Sequence, residues 1–400
     1  MMNNLVIKSE NIVGIFLTIY IVANIYFINT TPIYGHIIGL SLFAIAFTDS
    51  LVIKKRSLHI NMPVFAYLIF VFWAVLSFFW TVNTDSYLEY QQRILLCGIV
   101  VFSLYNIFCW YNVRSYFLMG IIIGGFINLF IFLNLFPYYG IKVDEDTWRF
   151  AGTIGNSNGL SNIMSFSLFA TILLTSFFAR NKHFFFRFIM FVNIPACIYL
   201  IIQTGSKKGL ILAVSFIFLL FLPYIKSVKG TLNALFISLF LFTVFSYLSE
   251  DADFSEQLEF VSKRFESAQE TIKGDEAEES TQLRLWLLEN GLKLWKEEPV
   301  LGVGLNNSKY FLGSPVHNNF LEILVNLGIV GFLIYYYFYF QIIWGSFKIK
   351  DITLKTCVMY FLIVFFIMDS TWSSYIDMFF LSILTMIIAI IYHPENNFIK

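Results

Sequence analysis

Charge is scarce in this chain. Asp, Glu, Lys and Arg make up 13% of its 400 residues, about half the share of an ordinary soluble domain. No excess of either sign compensates, since 26 Lys plus Arg balance 26 Asp plus Glu, which argues against a nucleic-acid partner. Cysteine is sparse too. Cys97, Cys109, Cys197 and Cys357 all lie in apolar runs and form no CxxC pair, so they read as packing residues rather than disulfides, redox groups or metal ligands. Polar–apolar alternation is also missing, which excludes a β-barrel. What fills the chain is apolar: 58% hydrophobic residues with 48 Phe, at a mean hydropathy of +0.73. One aqueous core cannot bury that much, whereas lipid is a solvent for it.

A helix crosses the hydrocarbon core in ~20 residues. Apolar runs of that kind fall at about 11–29, 33–53, 63–82, 93–111, 115–136, 159–179, 186–204, 209–225, 231–249, 321–346, 356–372 and 375–392. The expected fold class is all-α, a polytopic helical membrane protein with about twelve transmembrane helices. Residues 1–249 would hold the first nine, 250–320 a large helical loop, and 321–400 the last three. The first run follows Lys8 without a small-residue cleavage site, as in a retained signal anchor.

Lys and Arg in short loops set orientation. With the N-terminus inside, the cytoplasmic side collects Lys8, Lys54, Lys55, Arg56, Arg114, Arg180, Lys182, Arg187, Lys226, Lys229, Lys348, Lys350, Lys355 and Lys400. Both termini are then cytoplasmic and the long loop faces outward. Arg93, Lys142, Arg149, Lys207 and Lys208 run against this bias. They either snorkel to lipid phosphates or converge on an anionic ligand. A diphosphate suits such cations, because it stays charged at the membrane surface.

The loop before the sixth span carries Arg149, Gly152, Thr153, Asn156 and Asn158; the two Asn suit a helix cap as well as ligand contact. Gly205-Ser206-Lys207-Lys208-Gly209 lacks P-loop spacing, but a helix starting near Gly209 beside two lysines suits an anion. In the long loop, Phe254, Leu258, Val261, Phe265, Ala268 and Ile272 mark one helix face. Gly274–Ser280 is a solvated break, and a second helix runs from about Thr281 to Glu298, stopped by Pro299. Ser314 and Pro315 read as the cap and first residue of the tenth span, which places His317 in its first turn with Asn318, Asn319 and Glu322 beside it. Of the five histidines, His317 alone falls in this outer loop, while His36, His59, His183 and His393 fall within spans or near the cytoplasmic side.

Arg284-x-Trp286, Glu298-Pro299-Val300-Leu301-Gly302-Val303-Gly304, His317-Asn318-x-x-Leu321-Glu322 and Gly328-x-x-Gly331 stand in order along the chain. Together they resemble the O-antigen ligase and polymerase superfamily of bacterial surface-polysaccharide assembly. Upstream, Arg149-x-x-Gly152-Thr153 with Asn156 and Asn158 looks like the family's earlier loop, and Gly205–Gly209 like its Ser-Arg-Gly element with Lys in place of Arg. The resemblance implies an enzyme that takes a glycan from an undecaprenyl-diphosphate carrier and transfers it to an acceptor sugar without cofactor or metal. It implies a place in the bacterial cytoplasmic membrane, with the active site facing the periplasm or exterior. The partners are a lipid-linked oligosaccharide, an acceptor that is either a lipid-linked repeat unit or lipid A-core, and membrane lipids.

The residues suit that task. His317 would be the base that deprotonates the acceptor hydroxyl, with inversion at the anomeric carbon and Glu322 orienting the imidazole. Arg284, Arg149, Lys207 and Lys208 would hold the diphosphate, and Asn156, Asn158, Gly302, Gly304 and Asn318 would line the substrate site. A polymerase is favoured, with a ligase as the alternative. A flippase or transporter is the reading of another class. It fits less well, because the halves show no repeat and the main ionisable residues within spans, Asp49 and Asp369, lie near span ends.

Overall fold

The structure is a computed structural model that describes residues 9–138, 143–144, 149–175, 183–221, 255, 259–260, 262 and 279–394. The expected ninth span at 231–249 and nearly all of the amphipathic 254–272 helix lie outside the described residues. In chain order the helices are α1 (Ser9–Phe27), α2 (Pro32–Phe47), α3 (Met62–Leu76), α4 (Thr84–Trp110), α5 (Arg114–Phe132), α6 (Ser157–Leu173), α7 (His183–Gln203) and α8 (Lys207–Phe221). They continue as α9 (Glu279–Glu297), α10 (Asn307–Leu312), α11 (Asn319–Ser346), α12 (Ile352–Met368) and α13 (Met378–Tyr392). One short antiparallel pair, β1 (Val143–Asp144) and β2 (Arg149–Phe150), precedes α6.

The chain divides into two compact units, one of Met1–Arg56, Tyr111–Ser267 and Asn397–Lys400, the other of Ser57–Trp110 and Ala268–Asn396. In the first, α1 packs on α2 and α5, and α6 packs on α5, α7 and α8. In the second, α3 packs on α4 and α11, α9 lies on α11, and α13 lies on α4. The helix ends follow local chemistry. Asn61 accepts from the Val64 amide at the start of α3, Asp351 from Thr353 and Leu354 at α12, and Asp377 from Phe380 at α13.

Seven of the described helical stretches are long and apolar enough to cross a membrane: Ser9–Phe27, Pro32–Ile53, Met62–Trp80, Thr84–Trp110, Arg114–Phe132, Asn319–Ser346 and Ile352–Thr371. Their surface supports that reading. Leu40, Phe72, Phe79, Leu333, Trp344 and Ile367 are exposed, while Asn106, Asn128, Asn326 and Asp369 are buried. Water would penalise such an arrangement, whereas lipid favours it. The protein is a polytopic helical membrane protein. The fourth span starts earlier than the apolar run suggests: Asn83 accepts from the Ser86 amide and α4 begins at Thr84, so Arg93 lies in a helix and not in a loop.

The tenth span requires a larger correction. A straight helix would hold Asn319 and Tyr336 ~25 Å apart, at 1.5 Å per residue. Instead the Asn319 Nδ2 donates to the Tyr336 hydroxyl at 3.0 Å, and the Phe320 and Tyr336 rings stack with centroids 5.0 Å apart. The chain therefore doubles back at Gly328, whose φ of 68° and ψ of −174° are not helical. What remains for crossing is the arm after the kink, residues 329–346, which spans ~27 Å.

A break of this kind frees backbone groups that lipid cannot satisfy. The 299–304 loop takes them up. Val303 and Gly304 amides donate to the carbonyls of Val325 and Asn326 at 2.9 Å, and the Ile329 amide donates to the Pro299 carbonyl at 2.9 Å. Two tryptophans finish the junction, with Trp73 Nε1 on the Leu327 carbonyl and Trp80 Nε1 on the Leu301 carbonyl, both at 3.1 Å.

Candidate active site

In the first unit, the loop before α6 and the turn between α7 and α8 meet through Arg149. Its side chain is buried; Nε donates to the Thr204 carbonyl at 2.6 Å and an Nη donates to Asn158 Oδ1 at 3.2 Å. The same Asn158 oxygen accepts from the Ser206 hydroxyl at 3.0 Å. Ser206 Oγ also accepts from the Gly209 amide at 3.2 Å, so α8 begins at Lys207, two residues ahead of the Gly209 start expected from sequence. Lys207 and Lys208 are half-buried in its first turn. Asn156 accepts from the Gly159 amide at 2.9 Å and caps α6. Arg149, Asn158 and Ser206 thus form one cluster beside the two lysines. Asn156 is accounted for by the cap.

In the second unit, α9 presents Arg284 on its exposed side and buries Leu287 and Leu294. Leu294 joins Val303, Val316, Leu321 and Val325 in an apolar cluster that seats α9 on the short arm of α11. Trp295 Nε1 donates to the Pro299 carbonyl at 3.2 Å, where the helix has just ended. The spacing of apolar residues anticipates this helix; its observed ends are Glu279 and Glu297.

His317 is not in the first turn of α11. The helix begins at Asn319, and the cap is Asn318, whose side chain accepts from the Leu321 amide at 3.1 Å. Ser314 and Pro315 precede it in non-helical backbone. His317 stands just outside the cap in the left-handed region, with φ of 56°, and is exposed. Neighbouring protein desolvates its imidazole, and the Arg284 charge acts on it in the same direction. Both hold its pKa below the ordinary 6.5. The ring is therefore neutral, and able to accept a proton, at neutral pH.

Glu322 lies one turn into α11 and is fully buried. The hydrogen bonds to its side chain come from other residues than the imidazole ring. Its carboxylate accepts from the Ser373 hydroxyl at 2.5 Å and from the Tyr375 hydroxyl at 3.4 Å, and it takes the backbone amide of His317. The charge of Arg93, exposed on α4, also acts on it. Gly302 and Gly304 are placed where close packing requires them. Both are buried, and a Cβ at Gly302 would sit 2.6 Å from the backbone of Asn326 and Gly328, one at Gly304 2.6 Å from Thr81 Oγ1.

The second unit thus gathers a neutral histidine, an arginine and a buried carboxylate around one loop. Sequence reasoning did not single out Ser373 or Tyr375. The signal for both was the polar run Asp369–Tyr375, which interrupts two apolar spans. Arg284→Lys keeps the charge and loses the bidentate fork. If Arg284 grips a phosphate through that fork, turnover falls about tenfold or more; wild-type turnover in a normally expressed variant would remove the role.

Residues 161–336 match the family model described as O-antigen ligase, a segment that includes Lys207, Lys208, Arg284, His317, Asn318 and Glu322. No curated protein matched the chain. Residues 161–336 are thus similar to the O-antigen ligase family, the same superfamily that the sequence motifs resemble.

Proposed function

We propose that the protein transfers a glycan from an undecaprenyl-diphosphate carrier to an acceptor sugar, as an O-antigen or capsular polysaccharide polymerase. The observation that carries this is His317: exposed, held neutral, and beside Arg284 within the family-matched segment. The leaving diphosphate needs charge stabilisation and no proton, which a guanidinium supplies. The acceptor hydroxyl needs a base near neutral pH, which His317 supplies. Attack from the face opposite the diphosphate inverts the anomeric centre. Arg149 and the Lys207–Lys208 pair, in the first unit, have the chemistry of phosphate ligands. Bond-making and bond-breaking balance without metal or nucleotide: the hydroxyl proton passes to His317, and the diphosphate leaves with the electron pair. The site faces the side opposite the cytoplasm.

A ligase that transfers the glycan to lipid A-core uses the same chemistry. Glycan from a deletion strain separates the two. A lost polymerase leaves single-repeat products, whereas a lost ligase leaves full-length glycan on its lipid carrier. Glycan of normal length and attachment would overturn both readings.

A further inference from the structure

His317 occupies a backbone conformation that a non-glycine residue keeps only where its surroundings over-determine it. The surroundings here do so from three sides. Val316 is buried in the cluster with Leu294, Val303, Leu321 and Val325, Asn318 is fixed as the cap of α11, and the His317 amide acts on the buried Glu322 carboxylate.

Glu322 is in turn held from the turn between α12 and α13. Ser373 and Tyr375 donate to its two oxygens. That turn is locked by its own network. The Tyr375 amide donates to Asn319 Oδ1 at 3.1 Å, and Asn319 Nδ2 donates to Asp369 Oδ2 at 3.2 Å. Ser374 and Tyr336 hydroxyls also donate to Asp369, at 2.6 and 3.1 Å. Tyr67 on α3 donates to the Tyr375 carbonyl at 3.0 Å. Such fully satisfied buried polar groups rigidify what they touch. A carboxylate buried in this way costs free energy, and an apolar side chain would fill the volume without that cost. Of the residues in this network, Glu322 is the one that reaches the backbone of residue 317.

We infer that Glu322, Ser373 and Tyr375 are positioning residues for the proposed transfer, fixing the left-handed backbone of His317 and thereby the direction of its imidazole. This rests on the reading of His317 as the base. Ser373 and Tyr375 lie beyond the matched segment 161–336, so the α12–α13 turn becomes part of the catalytic apparatus without touching substrate.

The test uses the full-length protein in lipid vesicles, with lipid-linked glycan extracted from the source membrane and release of polyprenyl diphosphate as the readout. Glu322→Gln, Ser373→Ala and Tyr375→Phe are made in the wild type and in a His317→Gly background, whose residual or imidazole-supported turnover is followed. In the wild type, Glu322→Gln and Ser373→Ala should lower kcat about 10- to 100-fold, the cost of a small misplacement of a reacting group, with KM nearly unchanged. In the His317→Gly background the same changes should matter by less than about twofold, because there is no fixed imidazole left to misplace. Tyr375→Phe, at the longest of the contacts, should show the same pattern more weakly. Equal losses in both backgrounds, or no loss in the wild type, would overturn the positioning role. Full activity of His317→Gly alone would instead overturn the base assignment.

Discussion

His317→Ala is expected to abolish measurable polymer or ligated glycan while leaving the amount of protein in the membrane unchanged. General-base assistance contributes about 10²–10⁴-fold, and a loss of that size outlasts any compensation by expression level. The side chain is exposed and supports no apolar contact in the cluster around Val316, so its removal costs little stability. Normal turnover in a stably inserted variant would remove His317 from the chemistry. The pH profile gives a second check. Desolvation and then the Arg284 charge hold the imidazole below 6.5, and the neutral ring is the active form. Turnover should therefore be flat above pH 6.5 and fall as pH drops through the lowered pKa. Arg284→Gln removes one of the two causes, so the falling limb should move to higher pH. A limb that stays put, or moves down, would contradict the coupling.

Gly328→Ala should be the most damaging single change to the fold. The residue has φ of 68°, and an added Cβ would overlap the carbonyl oxygen of Val300. Val300 belongs to the loop that satisfies the broken helix, so neither backbone can retreat without losing the hydrogen bonds from Ile329 to Pro299 and from Gly304 to Asn326. Backbone strain and overpacking together place the loss above about 4 kcal/mol, seen as absence of folded protein from the membrane. Gly313→Ala is the comparison. Its φ is 73°, yet nothing lies within 4 Å of its added Cβ, so only the conformational cost of about 1 kcal/mol remains. If the two variants were equally stable, the kink would not depend on the close approach of the 299–304 loop.

The sequence carried the membrane class, the described spans to within a few residues at most ends, the α9 helix and the motif that contains Arg284 and His317. These are legible because hydropathy and helical period are local properties, written in consecutive residues. Long-range contacts are not. Gly302 and Gly304 look like ligand-binding glycines in a string. Only the tertiary structure shows that Gly302 lets its backbone approach the kink of α11 and that Gly304 lets its backbone approach Thr81. Nothing in Asn319–Ser346 as a sequence announces that turn except Gly328 itself, since the apolar run is continuous across it.

Glu322 shows the same division. Its spacing from His317 suggested a carboxylate holding a ring. The structure joins it to the backbone of that residue and to Ser373 and Tyr375, 51 and 53 positions further along. Solvent preference and local propensity therefore determined that this chain is a polytopic protein of membrane helices. The tertiary structure alone decided what holds His317, because a buried carboxylate takes whichever donors the packed helices deliver, irrespective of their distance along the chain.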